Sequence, residues 1–310
     1  MRVNDLSGFL VCPLDRTPLD IDVKAATCTV CRTAYPVIRD RIIDLLPPEP
    51  MQLPMPANSE FRIGYEAQFR QRIDRDSEAR PWGAPEDTPP AWVAKRRNQV
   101  ASVLSVLLRH TVTSELTLCD VSAGAGYYSL EYARYFRRVI HSDISPESVV
   151  YGHAKAKSLG LDNVFFCRTD YFRPPFNRNI DVAICMDSMI RGPWHEAKLL
   201  RNITYSLSTN GIAIVDLHNW WHNPVRRLGL GRQNFRECYS YTKSSASKLI
   251  QDVGMEVADY FPFRQEESAS IGGLSRGLSS LIPPTRLVYL LRRAKGGDSF
   301  EVAHSLANGS

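Results

Sequence analysis

Short apolar runs bounded by polar residues recur through most of the chain after residue 115. Each run is too short for a helix and has the length of a buried strand. The predicted strands cover residues 116–121, 138–145, 163–170, 180–187 and 211–218. Two further runs, 255–263 and 286–293, are joined without an obvious long helix and predict a closing hairpin. Residues 91–109 predict a helix that leads into the first strand.

Small residues follow the first strand. Residues 122–126 read Ser-Ala-Gly-Ala-Gly, and a helix is predicted from Tyr127 onward. A strand, a small-residue turn and a helix form a nucleotide-binding edge, because small side chains let a ligand approach the backbone and the helix N-terminus offers free N–H groups. Packing alone explains many such turns, so the motif needs support from elsewhere in the chain.

That support comes from acidic residues at the strand ends. Four successive strands end in or near Asp120, Asp143, Asp170 and Asp187. An acidic residue at the end of the second strand can accept hydrogen bonds from both ribose hydroxyls of a nucleotide. Chance does not readily produce such a series.

This order of motifs resembles the class I S-adenosylmethionine-dependent methyltransferases over about residues 95–293. The family's first motif, Asp-x-Gly-x-Gly-x-Gly, is present as residues 120–126, with Ser122 in place of the first glycine. The resemblance implies an α/β fold with a Rossmann-like, seven-stranded, doubly wound sheet. It also implies that S-adenosylmethionine is the cofactor.

The resemblance further implies roles for individual residues. Asp143 would hold the ribose, Asp170 would face the adenine amino group, and Asp187 would lie next to the reacting methyl. The predicted cofactor-binding residues are Asp120, Ser122, Ala123, Gly124, Gly126, Asp143, Ile144, Asp170, Tyr171, Asp187 and Tyr65.

The N-terminal segment has a metal-ligand spacing. Its two knuckles are Cys12-x-x-Asp15 and Cys28-x-x-Cys31, and they resemble the zinc-ribbon domains that act as methyltransferase activators or are fused to methyltransferases. A carboxylate oxygen can ligate zinc, so these four residues predict a closed structural zinc site. The alternative is a ribbon that has lost its metal and is held by packing on the main domain.

Five prolines between residues 47 and 56 mark a linker, because they exclude a helix and stiffen the chain. After it, Phe61, Tyr65, Phe69 and Ile73 share one face of a predicted helix at 59–80. This helix either packs on the core or covers the cofactor as a lid, with Tyr65 as its contact. The predicted domains are a zinc-ribbon-like domain at 1–46, a Pro-rich linker at 47–58, N-terminal helices at 59–110, a methyltransferase domain at 111–295 and a disordered tail at 296–310.

The methyl acceptor should lie over the carboxyl ends of the fourth and fifth strands, because the cofactor occupies the first three. The candidate catalytic residues are His195 and His218 as proton acceptors and Asp187, which orients a nucleophile or caps a helix. The predicted pocket lining is Asp187, Arg191, His195, His218 and Trp221, with Tyr65 above. Four arginines that follow could grip a carboxylate or phosphate, or form a solvated loop: Arg226, Arg227, Arg232 and Arg236.

The composition of the chain limits the classes of substrate and partner that it is expected to bind. A formal net charge of +5 permits an acidic substrate and argues against nucleic acid as the default. No apolar run reaches the ~20 residues of a membrane span, and no signal peptide is evident, so we expect a cytoplasmic protein. An odd total of 7 cysteines argues against a disulfide framework. The sequence leaves room for a homo-oligomer.

Three readings of function follow. The first is a methyltransferase that acts on a small molecule, in a biosynthetic pathway. The second is an RNA or protein methyltransferase that uses the ribbon to recognise its substrate. The third is a nucleotide-dependent oxidoreductase or a non-catalytic cofactor-binding protein. It is disfavoured because Ser129 stands where a dinucleotide motif has its third glycine.

Overall fold

In the computed structural model, the described residues are 3–38, 41–47, 90–189, 192–222, 239–263 and 284–294. The predicted helix at 59–80, the predicted tail at 296–310 and nearly all of the predicted linker at 47–58 lie outside them.

Seven of the described strands form the central sheet: β5 (Thr117–Val121), β6 (Arg138–Asp143), β7 (Val164–Arg168), β8 (Ile180–Cys185), β9 (Leu207–His218), β10 (Met255–Phe263) and β11 (Arg286–Arg293). Their order in the sheet is β7-β6-β5-β8-β9-β11-β10. The first five pair in parallel, while β11 runs antiparallel to both β9 and β10. The strand order reverses between β5 and β8, so a topological switch point lies there. The doubly wound sheet and the closing hairpin are confirmed.

Five helices accompany the described strands. They are α1 (Pro90–His110), α2 (Ser129–Tyr132), α3 (Pro146–Ser158), α4 (Pro193–Ser206) and α5 (Lys243–Gln251). Helix α3 begins where Ser145 accepts a hydrogen bond from the backbone N–H of Ser148, with Pro146 at the first helical position. Both features favour a helix start.

Two predicted elements have different bounds in the structure. The helix expected from Tyr127 onward is the four-residue α2, and the side-chain amide of Asn163 donates to the carbonyls of Ala133 and Phe136 just beyond it. Those carbonyls are satisfied without further helical turns. Strand β9 begins at Leu207 instead of residue 211, because Leu207 pairs with Ile180 before a register shift.

The strands of the switch region are buried on both faces, as parallel strands covered by helices require. Every residue of β5 and β6 is buried. Cys119, Cys167 and Cys185 are at most 1% exposed, so these cysteines act as small apolar core residues.

The N-terminal unit (residues 3–47) continues the same sheet. Its strands are β1 (Leu19–Ile21), β2 (Ala25–Cys28), β3 (Ala34–Ile38) and β4 (Ile42–Asp44). The first three pairs are antiparallel, and β4 then pairs in parallel with β7 to give an eleven-stranded sheet. The unit therefore covers the edge of β7, which would otherwise present unpaired backbone groups.

A second contact fixes the N-terminal unit beyond the strand pairing. Leu10 forms an antiparallel bridge with Phe176, and the guanidinium of Arg16 donates to the carbonyls of Pro174 and Phe176. Leu10 belongs to the same buried cluster as Cys167 of β7. The small unit is thus held by a core that it shares with the central sheet.

Candidate functional site

The loop between β5 and α2 adopts left-handed backbone conformations at the three glycine positions of its motif. The φ angles are +60° at Ser122, +55° at Gly124 and +76° at Gly126. A Cβ at Gly126 would lie 3.0 Å from two side-chain atoms of Leu130. An L-residue in this region costs about 1–2 kcal/mol, so Ser122 is strained where the family has glycine.

Two buried carboxylates hold this loop. Asp143 accepts hydrogen bonds from the backbone N–H of Gly124 at 2.8 Å and of Ser145 at 2.9 Å. Asp120 accepts one from the backbone N–H of Ser129 at 2.9 Å. Burial raises the pKa of both carboxyls, to about 7 for Asp120. Asp143, the predicted ribose-binding acid, and Asp120, the acid of the first motif, therefore also hold the loop in its shape.

Asp170 offers an unused acceptor. One of its oxygens accepts from the backbone N–H of Phe172 at 2.9 Å. The other is buried and has no hydrogen-bond partner among the described residues. Leaving a buried acceptor unpaired costs about 1–3 kcal/mol, and burial raises the pKa of this carboxyl. A donor such as an adenine amino group fits this oxygen.

Next to it, the Tyr171 hydroxyl and the His195 Nε2 are hydrogen-bonded at 2.7 Å. The His195 ring, only 5% exposed, also packs edge-on against Tyr171 and Phe172. The structure therefore ties His195 to the segment that follows β7.

A four-charge cluster lies at the carboxyl ends of β8 and β9. Asp187, with a φ of +64°, binds Arg96 of α1 through one oxygen and Arg286 of β11 through the other, each at 2.6 Å. Its backbone N–H donates to Asp216 at 2.8 Å, and Asp216 also binds Arg286. We call Arg96, Asp187, Asp216 and Arg286 the charge cluster.

The charge cluster sets the protonation of its acids. Burial alone would raise the pKa of Asp187, but the guanidiniums of Arg286 and Arg96 more than offset it and hold that pKa below its usual value. Burial raises the pKa of the fully enclosed Asp216, against the effect of Arg286. Beside them, the buried Tyr128 hydroxyl has no hydrogen-bond partner among the described residues, and its pKa is raised by burial and then by Asp187.

His218 belongs to this end of the site. It lies opposite Arg286 in the pairing of β9 with β11, and its charge would lower the pKa of Asp187. Trp221 is 57% exposed at the rim. Two other predicted pocket residues, Tyr65 and Arg191, lie outside the described residues. So do the four arginines predicted to bind a carboxylate or phosphate, Arg226, Arg227, Arg232 and Arg236.

Sequence reasoning missed three members of the charge cluster. Asp216 ends a strand as the four predicted acids do, so the same signal could have found it. Arg96 and Arg286 carry no motif, and only the fold brings them to Asp187.

The four predicted metal ligands also converge. Their ligand atoms all lie within 4.8 Å of one another, and the sulfurs of Cys12 and Cys31 are 3.6 Å apart. Two thiolates bound at ~2.3 Å to a tetrahedral zinc ion lie about 3.8 Å apart. Hydrogen bonds from Thr17 lower the pKa of Asp15, which keeps its carboxylate ionised. These residues fit a closed structural zinc site.

The fold is a Rossmann-like α/β sheet, a class in which ligands bind at the switch point. Residues 112–259 match the family described as methyltransferase domain, and residues 4–40 match the family described as Trm112p-like protein. The chain therefore carries a methyltransferase domain and an N-terminal Trm112p-like domain, as predicted. A comparison with curated protein sequences finds no match.

Solved structures share the fold at low sequence identity. Magnesium protoporphyrin IX methyltransferase from Synechocystis PCC 6803, with bound SAH, is 16% identical, with a TM-score of 0.57 over 76% of this chain and 99% of that one. A chain in the complex of the Haloferax volcanii Trm112 activator with a methyltransferase is 15% identical, with a TM-score of 0.53 over 74% and 97%. Geranyl diphosphate C-methyltransferase from Streptomyces coelicolor A3(2) is also 15% identical, with a TM-score of 0.52 over 78% and 100%.

The strain at Ser122 makes a stability prediction. Ser122→Gly should raise the free energy of unfolding by roughly 0.5 kcal/mol, because relief of the left-handed strain exceeds the added entropy of the unfolded chain. Urea denaturation measures it. The control Ser102→Gly, on the exposed face of α1, should lower the free energy by about 0.5 kcal/mol. Equal losses in both variants would contradict the strain.

The ribbon makes a metal prediction. Elemental analysis of protein purified without chelator should find one zinc per chain, because the four ligands close a tetrahedral site. Cys28→Ser should lower the zinc content and the melting temperature. Cys119→Ser, at a buried cysteine far from the knuckles in sequence, controls for loss of a core thiol and should leave zinc unchanged. Zinc-free wild-type protein of undiminished stability would refute the assignment.

Proposed function

We propose that this methyltransferase transfers a methyl group from S-adenosylmethionine to a small-molecule acceptor bound at the ends of β8 and β9. The observation that carries the proposal is the charge cluster, which gathers two arginines and two acids on the side of the switch point away from Asp143 and Asp170. The cofactor would lie over the ends of β5, β6 and β7, with its methyl directed toward this cluster.

The cofactor-binding residues support this placement. The Asp143 carboxylate accepts the backbone N–H groups of Gly124 and Ser145 and would also accept a ribose hydroxyl. The unpaired oxygen of Asp170 would accept the adenine amino group. The left-handed loop at residues 122–126 leaves the backbone open to the methionine part of the cofactor.

The sulfonium is a strong electrophile, so the protein mainly aligns the acceptor and removes a proton where the acceptor carries one. Both oxygens of Asp187 are bound to guanidiniums, so we assign Asp187 to positioning and His218 to proton acceptance. His195 is anchored on Tyr171 and would support the adenine end.

A macromolecular acceptor is the second candidate. The Trm112p-like match favours it, because the Haloferax volcanii relative of that domain is an activator in complex with a methyltransferase. In this chain, however, the N-terminal unit already contacts its own methyltransferase domain. Its last strand, β4, pairs with β7, and its Arg16 donates a hydrogen bond to the carbonyl of Phe176. The methyltransferase-domain match excludes the oxidoreductase reading.

The described part of the chain contains no helix that is long and apolar enough to cross a membrane. We propose a cytoplasmic enzyme. A homo-oligomer stays a prediction.

Asp143 provides the test of the cofactor site. Asp143→Asn should weaken binding of S-adenosylhomocysteine at least tenfold, since a hydrogen bond to a charged group contributes about 1.5–3 kcal/mol. Isothermal calorimetry measures it. Asp181→Asn is the matched control, because Asp181 also accepts a backbone N–H in this sheet, from Thr117 of β5. An unchanged affinity in Asp143→Asn would show that Asp143 does not bind the ribose.

The proton acceptor gives the test of the reaction. With methyl-labelled S-adenosylmethionine and a small-molecule extract of the source cells, the wild type should label a small molecule, which then serves as substrate. His218→Ala should lower turnover about 100-fold while S-adenosylhomocysteine still binds, because loss of a general base costs ~10²–10⁴-fold.

His195→Ala is the companion variant and should weaken cofactor binding without that loss of turnover. Label incorporated only into RNA or protein would favour the macromolecular candidate. Near-normal turnover in His218→Ala would withdraw the role of His218.

A further inference from the structure

We propose that Arg168 is a positioning residue through which the N-terminal unit holds the ribose-binding segment of the cofactor site. The inference rests on the proposed function, since it assumes that Asp143 meets the ribose. The juxtaposition that carries it is Asp44 of β4, Arg168 of β7 and Ile144, the residue after Asp143, joined by consecutive side-chain contacts.

Strand pairing first places these residues in one row. Asp44 lies opposite Arg168 in the pairing of β4 with β7, and Arg168 lies opposite Asp143 in the pairing of β6 with β7. Backbone hydrogen bonds continue the row on both sides: Leu45 donates to the Arg168 carbonyl and Thr169 donates to the Asp143 carbonyl, each at 2.9 Å. Neighbouring strands lie about 4.8 Å apart, so the row connects the N-terminal unit to the cofactor edge within two strand spacings.

The guanidinium of Arg168 then bridges the row through its side chain. Its Nη1 donates to the Asp44 carboxylate at 2.9 Å, and its Nε donates to the Ile144 carbonyl at 3.1 Å. The planar fork of arginine fixes these two donors relative to each other. Asp44 is itself oriented, because its other oxygen accepts from the backbone N–H of Leu46 at 3.2 Å.

The position of the Ile144 carbonyl affects the geometry of the proposed ribose contact. It lies between Asp143, whose carboxylate binds the Gly124 N–H, and Ser145, which caps α3. A shift of this peptide would move the Asp143 carboxylate relative to both the ribose and the glycine loop. Binding contacts lose affinity when they are misplaced by a fraction of an ångström.

A second ion pair across the same two strands provides a contrast. Arg41 binds Asp162 at 3.0 Å before the start of β4 and β7, which is the end of the sheet away from the cofactor. Asp162 is 83% exposed, whereas the side chains of Asp44 and Arg168 are 18% and 24% exposed. Both pairs join the N-terminal unit to β7, but only the pair at the cofactor end reaches the ribose-binding segment.

The experiment measures S-adenosylhomocysteine binding to the full chain by calorimetry. Asp44→Asn, which keeps an acceptor for Leu46 but removes the charge, should bind about fivefold to tenfold more weakly than wild type. Asp162→Asn is the matched control and should bind like wild type. Zinc content should be unchanged in both. Arg168→Lys keeps a cation for Asp44 but lacks the Nε donor, so it should show the same loss and serves if Asp44→Asn does not fold.

A second ligand separates positioning from general destabilisation. With an S-adenosylhomocysteine analogue that lacks both ribose hydroxyls, wild type and Asp44→Asn should bind equally, because the contact that Arg168 positions is absent. An equal loss for both ligands would overturn the proposal, as would equal losses in Asp44→Asn and Asp162→Asn or wild-type affinity in Asp44→Asn and Arg168→Lys. If wild type binds no S-adenosylhomocysteine, the proposed function fails and this inference with it.

Discussion

The hydrogen bonds that backbone N–H groups donate to buried carboxylates organise the whole cofactor edge. Asp143 is only 6% exposed and yet accepts from Gly124 and Ser145. An ionised carboxylate in such a place requires donors around it, because burial without them favours the neutral form. The loop that carries the motif is therefore held by the same acid that is assigned to the ribose. Loop shape and the proposed ribose contact would then be two effects of one side chain.

In the charge cluster, side-chain guanidiniums take the place of backbone N–H groups in stabilising the buried carboxylates. Asp216 is 1% exposed and Arg286 lies beside it and Asp187. Buried charges are stable only when they are paired and hydrogen-bonded. Because two acids face two arginines, the cluster adds little net charge of its own. The positive sulfonium of a bound cofactor would then dominate the local potential, which suits an electron-rich acceptor.

The parts of the fold that depend on local pattern were predictable from the sequence. Apolar runs located the strands, and the acids at their ends predict the cofactor edge. The length of α2 was not predictable from local pattern, because the carbonyls just beyond it accept hydrogen bonds from Asn163, which lies about 30 residues further along. Nor was the charge cluster, since Arg96 and Asp187 are separated by 91 residues and meet only across the sheet. The parallel pairing of β4 with β7 was not predictable either, because a strand of three residues is too short to show a periodic pattern of apolar residues.

The fusion of the ribbon to the enzyme changes the thermodynamics of their association. A separate activator must reach a concentration near its dissociation constant before it occupies the sheet edge. A tethered one is present at an effective concentration on the order of millimolar, whatever the amount of protein in the cell. The two parts are made in equal numbers. Since β4 already occupies the edge of β7, a free activator that needed that edge would find it taken.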